Sequence, residues 1–392
     1  MLFKIAIKNL LGAKLRTWLN VFVTSISFFM IIFMSAMYDG MREHAKKVSI
    51  DTEVAGGIYW HPKYDPLDPM TFEDAHSLPP HNLLKLISQN QAVPVLVSQA
   101  AIYPGGRMMP VVMKGILPSQ KIVNMPTEVL LDHDKAAIPV LIGRGMANYT
   151  GLSEGDFITI RWLDADKTYD ADEGVVVHIM DTENFKIDAR HIWVPLNRVQ
   201  TMLAMEGEAT YVTYAKGLPV ADNYGDWIHR NVKYLIRDIE ALIEADEPNA
   251  AVMYIILLIL AAMGIFNAQV LSIFRRKKEI GTLMALGMTR SRVVILFTME
   301  GGLNALLATF MTVLFFGPVL WYFGVYGIPL PLDDYSEMGL IIAKRLTPVY
   351  SMGLLIKTTA IISTIVLFVS YIPARRIARM KPTDALRGKI TP

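Results

Sequence analysis

The sequence predicts a membrane α-helical fold with four transmembrane helices and a large α/β extracytoplasmic domain inserted between the first and second helices. Three observations carry that prediction. The first is composition: 53% of the 392 residues are hydrophobic, and the mean hydropathy is +0.35, apolar for a soluble chain. The second is a set of four apolar windows at 19–38, 250–274, 293–323 and 353–373. Each reaches the roughly 20 residues that cross a hydrocarbon layer of about 30 Å.

The third is charge. Lys4, Lys8, Lys14 and Arg16 precede the first window with no acid among them. Arg275, Arg276, Lys277, Lys278, Arg290 and Arg292 follow the second window, against Glu279. Arg375, Arg376, Arg379, Lys381, Arg387 and Lys389 follow the fourth, against Asp384. The positive-inside rule puts these three segments in the cytoplasm, and both termini with them. Residues 39–249 then fall outside, with 30 of the 36 acids and 19 of the 38 bases. Charge is sorted by side of the bilayer, so the overall +2 is no sign of a nucleic-acid partner, and none is expected. Cysteine is absent. A disulfide framework and a thiol nucleophile are excluded, and the outer domain must hold by its core alone.

In chain order, residues 1–18 place Phe3, Ile7, Leu10 and Leu11 among lysines at helical spacing. That predicts a cytoplasmic interfacial helix among lipid headgroups; a solvated extension of the first span is the alternative. The span 19–38 is too long for a signal-peptide core and no cleavage site follows, so it reads as an uncleaved anchor. The outer domain, 39–249, begins with a stalk helix over Met41–Ile50. Strands are predicted at Val93–Val97, Pro110–Lys114, Ile138–Ile142, Phe157–Trp162, Gly174–Ile179, Ile192–Val194 and Tyr211–Tyr214. Helices are predicted at His81–Gln89, Arg144–Thr150 and Leu196–Met205, and the acidic run Asp164–Glu173 as a hairpin tip or loop. Asp222–Glu244 reads as a long amphipathic helix leading down into the second span, 250–274. Residues 275–292 form a cytoplasmic connector with a short helix. The third span, 293–323, is over-long and should tilt, kink or continue out of the bilayer. An outer loop, 324–352, the fourth span, 353–373, and a cytoplasmic basic tail, 374–392, complete the chain.

Four places are candidates for function. The connector helix has an apolar face of its own, with Ile280, Gly281, Leu283, Met284, Leu286 and Gly287 beside Glu279. That face must lie on lipid, pack on its own chain, or dock into a partner. Glu300 is an acid inside a span and so a candidate by default. It lies near the cytoplasmic interface, where it is either solvated or paired with a base of the connector. Small-residue stripes, Gly301/Ala305/Thr309 and Gly264/Ala268/Ser272, allow close helix approach in lipid. The basic tail either holds lipid headgroups or contacts a partner. Asp132-His133-Asp134 lacks the further ligands a metal site needs and reads as loop chemistry, so no metal is expected. No G-x-x-x-x-G-K-[ST] loop and no G-x-S-x-G elbow occurs, so no catalytic residue is assigned and the chain is not read as an enzyme.

Three stretches carry a family resemblance. Arg276–Thr289 with Phe297-Thr-Met-Glu300-Gly301 resembles the signature of FtsX-like permeases of ABC transporters, and so does the ending Tyr371-Ile-Pro373 through Arg387. Ile142–Ile160 is similar to the GxxLAxxLGLxxGDxxTL stretch of lipoprotein-releasing (LolC/LolE) and MacB-type permeases, the type VII group. The resemblance implies an inner-membrane protein with a periplasmic MacB-like domain and its stalk helices. It implies two copies, or one copy and a paralogue, with two separate ABC ATPase subunits that bind ATP–Mg. Glu279, Ile280, Gly281, Leu283, Met284, Leu286 and Gly287 become the coupling helix. No cofactor is expected in this chain. The implied work is extraction of lipoproteins or other amphiphiles from the inner membrane for a periplasmic carrier. The alternatives are MacB-like efflux through an adaptor and duct, and FtsX-like signalling to a cell-wall hydrolase. A client entering between the first two spans would meet Phe29, Ile32, Phe33 and Met37 with Met253, Ile256 and Leu257; ordinary lipid-facing surface is the alternative for all seven.

Overall fold

The computed structural model describes residues 15–131, 137–188, 190–219, 221–329 and 345–378. The interfacial helix up to residue 14, the Asp132-His133-Asp134 cluster, residues 330–344 of the outer loop and the tail from Arg379 onward lie outside the described residues. The chain divides into two compact units, one helical and one, Glu43–Glu244, rich in sheet.

Among the described residues, four helices are long and apolar enough to cross a membrane. They are Leu15–Ser49, Arg237–Arg275, Arg290–Met311 with its continuation to Tyr326, and Met352–Ala378. In the helical unit Phe28, Ile31, Ile265, Ala305, Ile362 and Val366 share one buried cluster, while Val252, Ile259, Leu306, Phe310 and Phe368 face outward. An apolar exterior is what a helix in lipid requires, with its own backbone bonded internally. The third long helix is not a regular α-helix throughout. Thr312–Phe316 is a π turn and Gly317–Tyr326 resumes the α-helix. Pro318 is the physical cause: it has no N–H to give and its ring crowds the preceding turn.

The first small-residue stripe is used within the chain. A Cβ on Gly301 would lie 2.2 Å from Ser370 Oγ, so glycine here lets the third and fourth helices touch. The second stripe differs, since a Cβ on Gly264 would meet nothing within 4 Å. Polar groups join the first helix to the third: Ser25 Oγ donates to the Ala308 carbonyl at 2.8 Å, and Thr312 Oγ1 to the Ser25 carbonyl at 3.2 Å.

In the sheet-rich unit, six strands close into a ring through β2–β3–β7–β4–β6–β5–β2. They are β2 (Ala92–Ile102), β3 (Met109–Ile116), β4 (Ile138–Gly143), β5 (Phe157–Leu163), β6 (Tyr169–Met180) and β7 (His191–Pro195). Alternation sorts their side chains into two cores. Leu96, Ile138, Val140, Ile142, Ile192 and Val194 fall in one, and Val93, Val95, Val97, Leu141 and Trp193 in the other. β2 is long enough to serve two neighbours on one edge: Ala100–Ile102 pair with β5 and Ala92–Val95 with β8 (Tyr211–Tyr214). From β8 the sheet runs on through β1 (Gly57–Trp60) and β10 (Trp227–Asn231) to β9 (Asn223–Tyr224).

Two predicted elements are corrected. Asp222–Glu244 is not one helix. Gly225, at φ +61°, turns a hairpin between β9 and β10, so Trp227 and Ile228 lie in a strand. Asn231 then caps the short helix Val232–Leu235, accepting from Tyr234 N–H at 2.8 Å, and the long helix starts only at Arg237. The acidic run is also partly strand: the turn is Asp164–Thr168, and the acids of β6 point to water along an exposed edge of the hairpin.

The fragment Ile142–Ile160 folds as its glycines dictate. The helix Arg144–Thr150 ends at Gly151 in the left-handed region, φ +74°. Asp188 holds its start, accepting from Gly145 N–H at 2.9 Å and 3.0 Å.

Candidate coupling site

The connector between the second and third long helices gathers the densest run of cations in the chain. The second helix stops at Arg275, and Arg276 leaves helical geometry at φ −95° and ψ 12°. The helix Lys277–Ala285 follows. It closes in a Schellman turn, with Met288 N–H donating to the Leu283 carbonyl at 3.0 Å and Gly287 N–H to the Met284 carbonyl at 3.1 Å. Gly287 supplies the left-handed residue such a turn needs, φ +95°.

Of the four consecutive cations, Arg276 turns inward. Its Nη1 donates to Glu300 Oε2 at 2.5 Å and its Nε to Glu279 Oε2 at 2.7 Å. The guanidinium also lies over the Phe297 ring, 4.9 Å from its centre. The Arg276 and Glu300 side chains are only 10% and 11% exposed. Burial works against the Arg276 cation, but Glu300 and Glu279 more than offset it and hold the guanidinium above its ordinary range. The intramembrane acid is therefore paired, and its partner sits at the hinge between two helices.

Ile280 is fully buried against Val293 and Phe297 of the third helix and Ala374 and Ala378 of the fourth. Of the three fates open to that apolar face, packing on its own chain holds for Ile280. The connector helix spends Ile280 on its own chain, and Gly281 is buried too. Leu283 and Met284 are half-buried, and Leu286 stands out at 81% exposure, with Glu279 and Gly287 also exposed. The apolar residues predicted as one face thus split between an anchoring side and a tip. Mechanically the arrangement is a strut. Arg276 pins its first turn to the third helix by charge, Ile280 pins its middle to the third and fourth helices by packing, and Leu286 is left at the far end. Sequence reasoning missed Ala374 and Ala378 as the socket for Ile280, although two alanines four apart on a helix mark a close approach.

The seven residues proposed to meet a client are not gathered on one surface. Phe29 stacks on Phe316 at 4.6 Å and on Phe33 at 5.7 Å, and Phe33 meets Phe323 at 5.5 Å, so these rings pack on the third helix. Ile32 is buried and Met37 half-buried. Leu257 packs beside the cluster of Phe28 and Ile31, while Met253 and Ile256 are exposed.

Residues 251–382 match the family described as FtsX-like permease C-terminal. The chain is 24% identical over 351 residues to the lipoprotein-releasing system transmembrane protein LolC of Neisseria meningitidis, covering 78% of this chain and 81% of that one. It is 24% identical over 330 residues to LolC of Xylella fastidiosa, covering 76% and 77%. Against the macrolide export ATP-binding/permease protein MacB of Agrobacterium fabrum it is 27% identical over 132 residues, 34% of this chain and 18% of that protein. With four apolar helices among the described residues, a sheet-rich unit and this match across the last three of those helices, the chain resembles membrane permeases of the FtsX/MacB type and is similar over most of its length to LolC.

Proposed function

We propose that this chain is the permease subunit of an ABC transporter in the bacterial inner membrane that releases lipoproteins or similar amphiphiles. Two separate ATPase subunits bind ATP–Mg on the cytoplasmic side, and a second copy or a paralogue completes the permease. The sheet-rich unit, with the two helices that flank it in sequence, works in the periplasm. The observation that carries this reading is the strut. A partner that grips Leu286 moves Arg276 and Ile280 with it, and through them the third and fourth spans. A free connector would dissipate the same push. The likeness to LolC over about three quarters of the chain, against one third for MacB, favours release over efflux.

Leu286→Arg tests the strut. The side chain is in water already, so folding and insertion should survive. Transport should fall at least 10-fold while the partner's ATP hydrolysis persists. Normal transport by Leu286→Arg refutes the assignment. Co-purified proteins separate the client readings: lipid-modified proteins in the eluate support release, and an adaptor with an outer-membrane duct supports efflux instead.

A further inference from the structure

The sheet-rich unit holds a cavity of about 690 Å³ that the coupling mechanism does not use. We propose that it binds a small anionic amphiphile: one carboxylate or phosphate group on an apolar body. The volume falls within the roughly 300–1,000 Å³ of sites that take a single small molecule. Its walls mix apolar side chains, Trp60, Tyr64, Phe72 and Leu235 among them with Leu67 at an exposed position, with charged ones that include Lys63, Asp65 and Asp238.

Its cations are not equivalent. Lys114 is nearly buried and already neutralised, with Nζ 3.0 Å from Glu53 Oε1 and over the Trp193 ring at 5.0 Å. Lys186 and Arg237 share Asp238, each at 3.7 Å. Arg230 is different. Its guanidinium is held against two aromatic rings, 5.2 Å from the centre of Trp60 and 4.3 Å from that of Tyr234. No carboxylate lies within ion-pair distance of it among the described residues, and its Nε is buried without a hydrogen-bond partner. A buried donor left unmade costs free energy, and a guanidinium fixed in one plane is already arranged to take two oxygens of an anion. The aromatic rings supply that arrangement before any ligand arrives. The charge therefore selects an anion, and the walls select one with an apolar body. This inference stands apart from the transport reading, because binding here needs neither ATP nor a partner chain.

The test uses the full chain in discs of zwitterionic lipid and a dibrominated long-chain fatty acid as probe. Bromine quenches tryptophan on contact, and Trp60 and Trp193 both border or approach the cavity. Quenching should saturate. Dodecyl phosphate should compete, while inorganic phosphate and dodecyltrimethylammonium should not. Arg230→Gln should weaken the probe roughly 10- to 100-fold, the scale of a charge-assisted pair. Val112→Trp, which fills the cavity and leaves Arg230 in place, should abolish the saturable phase. Circular dichroism of both variants checks that the sheet survives. Linear, unsaturable quenching, or equal affinity in Arg230→Gln, overturns the proposal. Competition by inorganic phosphate as strong as by dodecyl phosphate overturns it too, since the site would then take a free anion.

Discussion

Lys114→Met is the substitution whose outcome the structure fixes most closely. In the wild type Glu53 lies beside the ammonium of Lys114 at 3.0 Å. Burial pushes the Glu53 carboxyl up, but Lys114 more than offsets it, with His191 and Lys186 helping, and the carboxyl sits below its ordinary value of 4.5. A carboxyl lowered on folding adds stability above its unfolded value and loses it as pH falls through the folded one. Methionine keeps the stem of Lys114 against Trp193 and Tyr211 but removes the charge. The sign then inverts. Burial dominates, the Glu53 carboxyl rises above its unfolded value, and the variant loses stability as pH rises past that value. The loss is capped, because the protein can protonate Glu53 instead of leaving it charged. At about 1.4 kcal/mol per pH unit, protonating a carboxyl of ordinary value 4.5 at pH 7 costs about 3 kcal/mol. His191 and Lys186 keep the true figure under that cap. The assay is thermal unfolding of the full chain, followed by the circular dichroism of the sheet, from pH 4 to pH 8. Lys114→Met with Glu53→Gln serves as the baseline for every other titrating group. Relative to that baseline, the wild type should weaken towards acid and Lys114→Met should strengthen. Parallel curves for the single and the double variant would refute the reasoning.

Arg276→Met takes the guanidinium from the nearly buried Glu300 carboxylate and should cost about 3–5 kcal/mol, most of which Arg276→Met/Glu300→Met recovers, read as thermal unfolding in micelles. Glu300→Gln keeps an acceptor at that position and leaves Arg276 its bond to Glu279, so it should cost about 1 kcal/mol in the same assay. Gly301→Ala drives a methyl into Ser370 and should cost about 1–3 kcal/mol, part of it restored by Ser370→Gly, whereas Gly264→Ala should be close to neutral in the isolated chain.

What the residues disclosed depended on how far apart the partners lie. β8 and the helix Arg144–Thr150 fall where turn glycines and β-branched runs put them, and β4, β5 and β7 within a residue or two, because each of those signals is local. Trp227 and Ile228 fit a helical stripe with Leu235 and Ile239, and that periodicity hid two opposing local signals. Gly225 is a turn residue between strands, and Asn231 is a cap three residues before Tyr234. Tertiary pairing with β1 decided the matter, and β1 itself is a run of four residues with no pattern of its own.

The candidate coupling site shows the sharper limit. Four adjacent cations look alike in one dimension, and only the break in helical geometry at Arg276 aims one of them at an acid 24 residues away. Ile280 and Leu286 have the same hydrophobicity, yet one is sealed in a socket made by Ala374 and Ala378 and the other projects into solvent. That division matters to any push from outside. A helix with every apolar residue turned to a partner would bind well and pull on nothing. Here the residues that hold the connector to the spans differ from the one that stands free at its tip. Loss of grip and loss of transmission should therefore be separable by mutation: Leu286→Arg should abolish partner binding at the tip, and Ile280→Ala should leave that binding intact while loosening the third and fourth helices from the strut. If Ile280→Ala instead weakens partner binding as much as Leu286→Arg does, the connector is a single docking face and the strut does not exist.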